Sequence, residues 1–164
     1  MSTTPVTIID SGIYRKHIVY DKYKFRYNES LISDKFKEKE IYYYSGKKGD
    51  YIDDRDGHGT AVTYIVSKTT DRIIFYDVSY GKLRNVYRFD EGEIFRILER
   101  VYQMGSRIVV MSFGARKQDK KREDNIDQFI KKHADMNIFI AAGNRPGFSS
   151  INSPANSYNV ITVG

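Results

Sequence analysis

The chain contains no cysteine. No disulfide can therefore brace its fold, which fits a reducing compartment. No stretch approaches the roughly 18 apolar residues that a membrane span requires, so no membrane partner is expected. The opening Met1-Ser2-Thr3-Thr4-Pro5 lacks a basic region followed by an apolar run, so no signal peptide is expected. An apolar run begins at Val6, which leaves no room for a pro-segment within this chain. Cytoplasmic residence is the resulting expectation. Internal repeats and low-complexity linkers are also missing. Charge of one sign is not concentrated. The net charge is +6, but Lys/Arg alternate with Asp/Glu in Lys35-Phe36-Lys37-Glu38-Lys39-Glu40 and again across residues 117–124. Such mixed runs are solvated faces, and nucleic acid is not expected as a partner.

What is present is an ordinary globular composition, 40% hydrophobic and 29% charged over 164 residues, the size of about one domain. Short continuous apolar runs recur: Val6–Ile9, Ile73–Tyr76, Ile108–Met111, Ile138–Ala141 and Val160–Val163. Runs of this length without alternation are the mark of strands buried on both faces. Helical spacing lies between several of them. Ala61, Val62, Ile65 and Val66 share one face. Ile94, Ile97, Leu98 and Val101 follow i, i+3, i+4, i+7, with Asp90 as cap and Glu93 three residues on. Ile126, Phe129, Ile130 and His133 repeat the spacing. Buried strands alternating with helices predict an α/β fold with a parallel sheet and flanking helices. Residues 20–56, rich in Tyr and Lys, read as loop with a hairpin, their tyrosines covering a sheet edge.

In a parallel sheet, function gathers beyond the carboxyl ends of the strands. Three such places carry chemistry. Asp10 follows the first run and precedes Ser11-Gly12. Its plain role is to satisfy backbone amides in that turn. His58 stands in Asp56-Gly57-His58-Gly59-Thr60, between glycines at the start of an amphipathic helix. Flanking glycines let other groups approach the ring. Asn144 ends Ala141-Ala142-Gly143-Asn144, where an amide side chain either caps a turn or donates to a developing oxyanion. No glycine-rich phosphate loop follows any run, since Asp10-Ser11-Gly12-Ile13 lacks the further glycines, which argues against a nucleotide-binding domain.

Together these segments resemble the subtilisin-like serine proteases, or subtilases. Ile9-Asp10-Ser11-Gly12-Ile13 is similar to the family's aspartate motif, and Gly57-His58-Gly59-Thr60-Ala61-Val62 to its histidine motif. Met111-Ser112-Phe113-Gly114 is similar to the strand beside substrate, and Ala141-Ala142-Gly143-Asn144 to the oxyanion segment. Ser153-Pro154-Ala155 with Asn159–Gly164 resembles the loop and strand that follow. The five occur in the family's order and span almost the whole chain. The resemblance implies a subtilisin-like fold and peptide-bond hydrolysis by an Asp-His-Ser triad. By it, His58 is the general base, Asp10 orients it, and Asn144 donates to the oxyanion. Ser112, Phe113, Gly114, Ala142 and Gly143 would line the cleft for a peptide or protein substrate. No cofactor or metal is implied.

The resemblance breaks at the nucleophile. The family carries it in a Gly-Thr-Ser segment, and none occurs here. Ser11, Ser112, Ser149, Ser150 and Ser153 stand in other contexts. Residues 1–164 are thus expected to form a C-terminally incomplete subtilase domain. Alone it would be inactive and marginally stable. A complementing chain supplying the serine segment is a candidate partner, and a non-catalytic peptide-binding pseudoprotease or half of a split enzyme is the alternative. Two further histidines, His17 and His133, read as structural. Asp50, Asp53, Asp54 and Asp56 do not follow a known calcium-loop spacing and read as a solvated acidic turn.

Overall fold

Every residue of the first apolar run is buried, and this fixes the centre of the sheet: Val6–Asp10 forms β1, with neighbours on both sides and cover on both faces. The computed structural model describes residues 4–30, 37–45, 54, 57–78, 82–83, 86–87, 90–114, 125–144 and 154–164. The remaining strands are β2 (Lys24–Tyr27), β3 (Glu40–Ser45), β4 (Arg72–Asp77), β5 (Lys82–Leu83), β6 (Val86–Tyr87), β7 (Ile108–Met111), β8 (Asn137–Ala141) and β9 (Ile161–Val163). Seven of them form one sheet in the order β2-β3-β4-β1-β7-β8-β9, and β5 and β6 pair separately. Every pairing in the large sheet is parallel. The chain runs outward from β1, returns through β3 to β4, and then crosses to β7 on the other side. The crevice created by that crossing lies at the carboxyl ends of β4, β1 and β7.

Helices cover the sheet unevenly. The two with the strongest apolar stripes, α2 (Glu91–Gln103) and α3 (Asn125–Lys132), share one face. They pack Ile94, Ile97, Leu98, Val101, Phe129 and Ile130 against Ile9, Val109, Met111, Ile138 and Ile140. At the start of α2, Asp90 Oδ1 accepts the amide of Glu93 at 2.8 Å. Removing that acceptor in Asp90→Ala is expected to destabilise the fold by about 1 kcal/mol, read as a lower urea midpoint with unchanged slope.

On the opposite face, α1 (His58–Val66) lies over the β1 side. Val62 and Val66 meet a cluster of Ile8, Ile13, Tyr20, Tyr43, Ile73 and Phe75. Beyond α1, cover thins. Ile8, Val110, Phe139 and Ile161 are register partners across four strands. Ile8 is fully buried, Val110 and Phe139 are half-buried, and Ile161 is 43% exposed. Val163 beside it is 52% exposed. A parallel sheet is ordinarily covered on both faces, yet among the described residues no helix lies over this half.

Three expectations need correction. Among the described residues of 20–56, β2 and β3 form a parallel pair rather than a hairpin. Tyr42, Tyr43 and Tyr44 do not cover an edge. They run through the interior of β3, and alternation sends Tyr42 and Tyr44 to the α2/α3 face and Tyr43 to the α1 face. Their hydroxyls make this possible by finding partners: Tyr44 donates to the Glu29 carbonyl at 2.8 Å and Tyr43 to Asp77 Oδ2 at 3.0 Å. Of the expected face of α1, Val62 and Val66 pack inward but Ala61 and Ile65 do not. Gly59 and Thr63 point down, while Ala61 is exposed and Ile65 is 68% exposed. The close backbone approach of Gly59 to Gly12, in the turn after β1, sets that orientation.

Candidate active site

The carboxyl end of β1 delivers Asp10 into a turn that the sheet already anchors, because the Asp10 carbonyl accepts the amide of Val78 at 3.0 Å. Asp10 is 2% exposed. Its Oδ1 accepts the Ser11 amide at 2.7 Å and lies 2.7 Å from His58 Nδ1. A carboxylate only accepts, so Nδ1 carries the proton and Nε2 is the basic nitrogen of neutral His58. Asp10 Oδ2 is buried with no hydrogen-bond partner among the described residues. One oxygen of the carboxylate is therefore left uncompensated by backbone donors, and the imidazole is the cation-forming group beside it. The His58 side chain is 44% exposed, so the ring reaches from a buried anion toward solvent.

Glycines make this contact possible. Gly57 caps α1 at φ 78°, with no side-chain cap of its own. That left-handed conformation places His58 as the first helical residue at little steric cost. Gly59 lets α1 press on the Asp10 turn. A Cβ there would meet Gly12 O at 2.2 Å, Gly12 N at 3.0 Å and Asp10 Oδ1 at 3.2 Å.

One buried side chain at this junction escaped the reading of the sequence. Asp54 is not part of a solvated turn; it is 7% exposed. Its Oδ2 accepts the Thr60 amide at 2.7 Å and the Thr60 hydroxyl at 2.6 Å, and its Oδ1 accepts the Ser11 hydroxyl at 3.1 Å. Asp50, Asp53 and Asp56 lie outside the described residues. The only local signal was position: a carboxylate just ahead of a glycine-capped helix that has no cap of its own.

Deeper under the turn, the Asp10 position pairs with Asp77 of β4, also buried. The Tyr43 hydroxyl donates to Asp77, and the ring packs in one cluster with Ile13 and Ile8. Burial, with the Asp77 charge beside it, pushes the Tyr43 phenol far up. It remains a neutral donor to the β4 carboxylate.

The other expected site residues stand at the same edge of the sheet. Ser112, Phe113 and Gly114 follow β7 and are half-buried, and Phe113 packs against the α2/α3 core. Ala142, Gly143 and Asn144 follow β8. The Ala142 amide donates to the Val163 carbonyl at 2.8 Å, and Gly143 turns at φ 103° into an exposed Asn144. His17 is exposed and edge-on to Tyr20 at 6.3 Å. His133 packs between Phe129 and Tyr102, with Nδ1 2.8 Å from the Phe129 carbonyl. Ser149, Ser150 and Ser153 lie outside the described residues. Among the described residues, no group of three or more His, Cys, Asp or Glu side chains is placed to hold a metal ion. No described helix is long and apolar enough to cross a membrane.

Comparison with known proteins agrees with this geometry at the level of fold. The model of the subtilase family, peptidase S8, matches residues 2–164. Two curated proteins of Dictyostelium discoideum, the serine protease/ABC transporter B family proteins tagB and tagD, are 24% and 28% identical over 97% of the chain. The alignments take in only 9% and 10% of those proteins. Among solved structures, the prenylagaramide maturation protease PagA covers 98% of the chain at TM-score 0.66 and 16% identity. The psychrophilic subtilisin-like protease Apa1 from the Antarctic Pseudoalteromonas sp. AS-11 does so at TM-score 0.66 and 18% identity. The chain spans 53% of the first and 36% of the second. It thus spans about half or less of the solved proteins it resembles and about a tenth of the curated ones.

Proposed function

The chain belongs to the subtilase family, and on that premise we propose that it supplies the acid–base half of a serine endopeptidase site whose nucleophile comes from outside residues 1–164. The observation that carries this reading is the 2.7 Å contact between Asp10 Oδ1 and His58 Nδ1. With Nδ1 held, Nε2 is the atom that would take a proton from a serine hydroxyl and return it to the leaving amine. The buried Asp10 carboxylate stabilises the imidazolium that forms between those steps. The Asn144 amide, at the end of β8, would donate to the tetrahedral oxyanion. Backbone along Ser112–Gly114, with Ala142 and Gly143, would pair with an extended peptide as an added strand. Because the Ala142 amide is already engaged by Val163, that residue has its carbonyl to offer.

The thin cover over Val110, Phe139, Ile161 and Val163 supports the need for a further segment. Apolar surface of this kind contributes about 25 cal/mol per Å² when covered. A segment that carries the serine and lies on this half of the sheet would supply both the missing chemistry and the missing stability. It comes from more of the same polypeptide or from a complementing chain.

Fluorophosphonate labelling tests the reading. The 164-residue chain is expected to remain unlabelled. The native protein, isolated from its source through this chain, is expected to label on a serine outside residues 1–164. In His58→Ala, turnover of the native protein should fall by a factor on the order of 10⁶, as for the base of the subtilisin triad. Labelling of a serine within the chain, or native turnover indifferent to His58→Ala, would overturn the proposal. A native protein that binds peptide but never labels would point to a pseudoprotease.

A further inference from the structure

We infer that Asp54 is a positioning residue that locks the histidine helix onto the aspartate turn; this rests on the reading of Asp10 and His58 as an acid–base pair. The two members of that pair arrive on separate elements, β1 and α1, joined by nearly fifty residues of chain. A hydrogen bond between them fixes the imidazole only if the elements themselves are held in register. Gly59 allows close approach but supplies no directional force.

Asp54 supplies it. Its three acceptor contacts reach both elements: the Ser11 hydroxyl on the turn, and the amide and hydroxyl of Thr60 in the first turn of α1. Each partner is engaged a second time. The Ser11 oxygen accepts the Gly59 amide at 3.2 Å, and the Thr60 hydroxyl accepts the Tyr14 amide at 2.8 Å. The Tyr20 hydroxyl donates to the Thr60 carbonyl at 2.6 Å. The carboxylate is thus the hub of a net that ties residues 11–20 to residues 59–60, one residue past the imidazole. Charge-assisted bonds to a buried carboxylate are the strong kind. The negative charge also stands at the helix N-terminus, where the dipole favours it.

The test reads the tautomer of His58 by two-bond ¹H–¹⁵N NMR on the 164-residue chain, with far-UV and near-UV circular dichroism as controls for fold. Wild type is expected to show the Nδ1–H tautomer. Asp54→Asn keeps the size but replaces one acceptor oxygen by a donor that faces donors. It should retain its dichroism yet shift the His58 tautomer ratio by about tenfold, the scale of one lost charge-assisted hydrogen bond. Ser11→Ala cuts only the arm to the turn and leaves Asp54 capping Thr60. It should shift the ratio in the same direction, and it decides the matter if Asp54→Asn does not fold. A folded variant with the wild-type tautomer ratio would overturn the inference. If both variants unfold, Asp54 serves folding rather than positioning, and the inference is overturned as well. Because no turnover is read, failure of the protease reading leaves this result intact. Conversely, a protease that labels normally with Asp54→Asn and an unshifted tautomer would sink only the role of Asp54.

Discussion

Gly59→Ala is expected to cost about 3 kcal/mol of stability, the upper end of the usual penalty for overpacking a well-packed site. Most overpacked side chains find relief by changing rotamer. Here the added methyl has none, because it stands 2.2 Å from a backbone oxygen, Gly12 O, and that peptide belongs to the turn after β1. Either α1 lifts from the sheet, which separates His58 from Asp10, or the Asp10 turn moves, which breaks the Asp10–Val78 link to β4. With a urea slope of about 2 kcal/mol per M, the midpoint should fall by roughly 1.5 M. Gly57→Ala is the matched control. Nothing lies within 4 Å of a Cβ there, and only the left-handed φ of 78° is paid, about 1 kcal/mol. Equal midpoints for the two variants would mean that the close approach of α1 to the turn is not what holds the pair together.

The sheet was legible because of how parallel sheets are buried. β1, β4, β7, β8 and β9 sit where continuous apolar runs stand in the sequence, and the motif residues Asp10, Ser112 and Ala142 follow those runs directly. α2 was legible down to its cap, since Asp90, Glu93 and the stripe from Ile94 to Val101 are all local signals. What stayed hidden depends on partners far away in the chain. β2 and β3 pair through side chains that no periodicity marks. Buried Glu40 is answered by Arg26 at 3.0 Å, and three consecutive tyrosines fill both faces at once. Asp54 was one carboxylate among four, and what singles it out, Ser11, lies on another strand's turn. Half of the face of α1 was misread for a related reason. Hydrophobicity pointed to Ala61, Val62, Ile65 and Val66; Val62 and Val66 do meet the core, but Ala61 and Ile65 do not, because the helix is seated by the absence of a side chain at Gly59. The sheet edge explains the apolar residues left over: Ile161 and Val163 follow the pattern of a buried strand, which is the pattern a further covering segment would require.

Four buried tyrosines, Tyr20, Tyr23, Tyr43 and Tyr76, carry the second large effect, alkaline unfolding. Burial is the first cause raising the phenols of Tyr20, Tyr43 and Tyr76 well above the ordinary value, and it pushes Tyr23 up to about 12. Neighbouring carboxylates add to it for Tyr43 through Asp77 and for Tyr23 through Asp71. A group whose folded pKa lies above its unfolded one binds its proton more tightly in the fold. Its stabilising contribution is therefore complete below the unfolded value, about 10. It drains away as pH rises from there through the folded value. While Tyr43 stays protonated in the fold, each pH unit above 10 removes about 1.4 kcal/mol, and the other three act in the same direction. A domain with a thinly covered sheet face has little margin to lose. We expect cooperative unfolding between pH 10 and about 12, with tyrosinate absorbance and far-UV ellipticity changing together for the buried set. In urea, the same chain should ionise its tyrosines around 10 with no cooperative step. Smooth ionisation of all 14 tyrosines with native ellipticity retained would mean that these phenols reach solvent in the fold. The buried hydrogen bond from Tyr43 to Asp77, as a support beside Asp10, would then have to be abandoned.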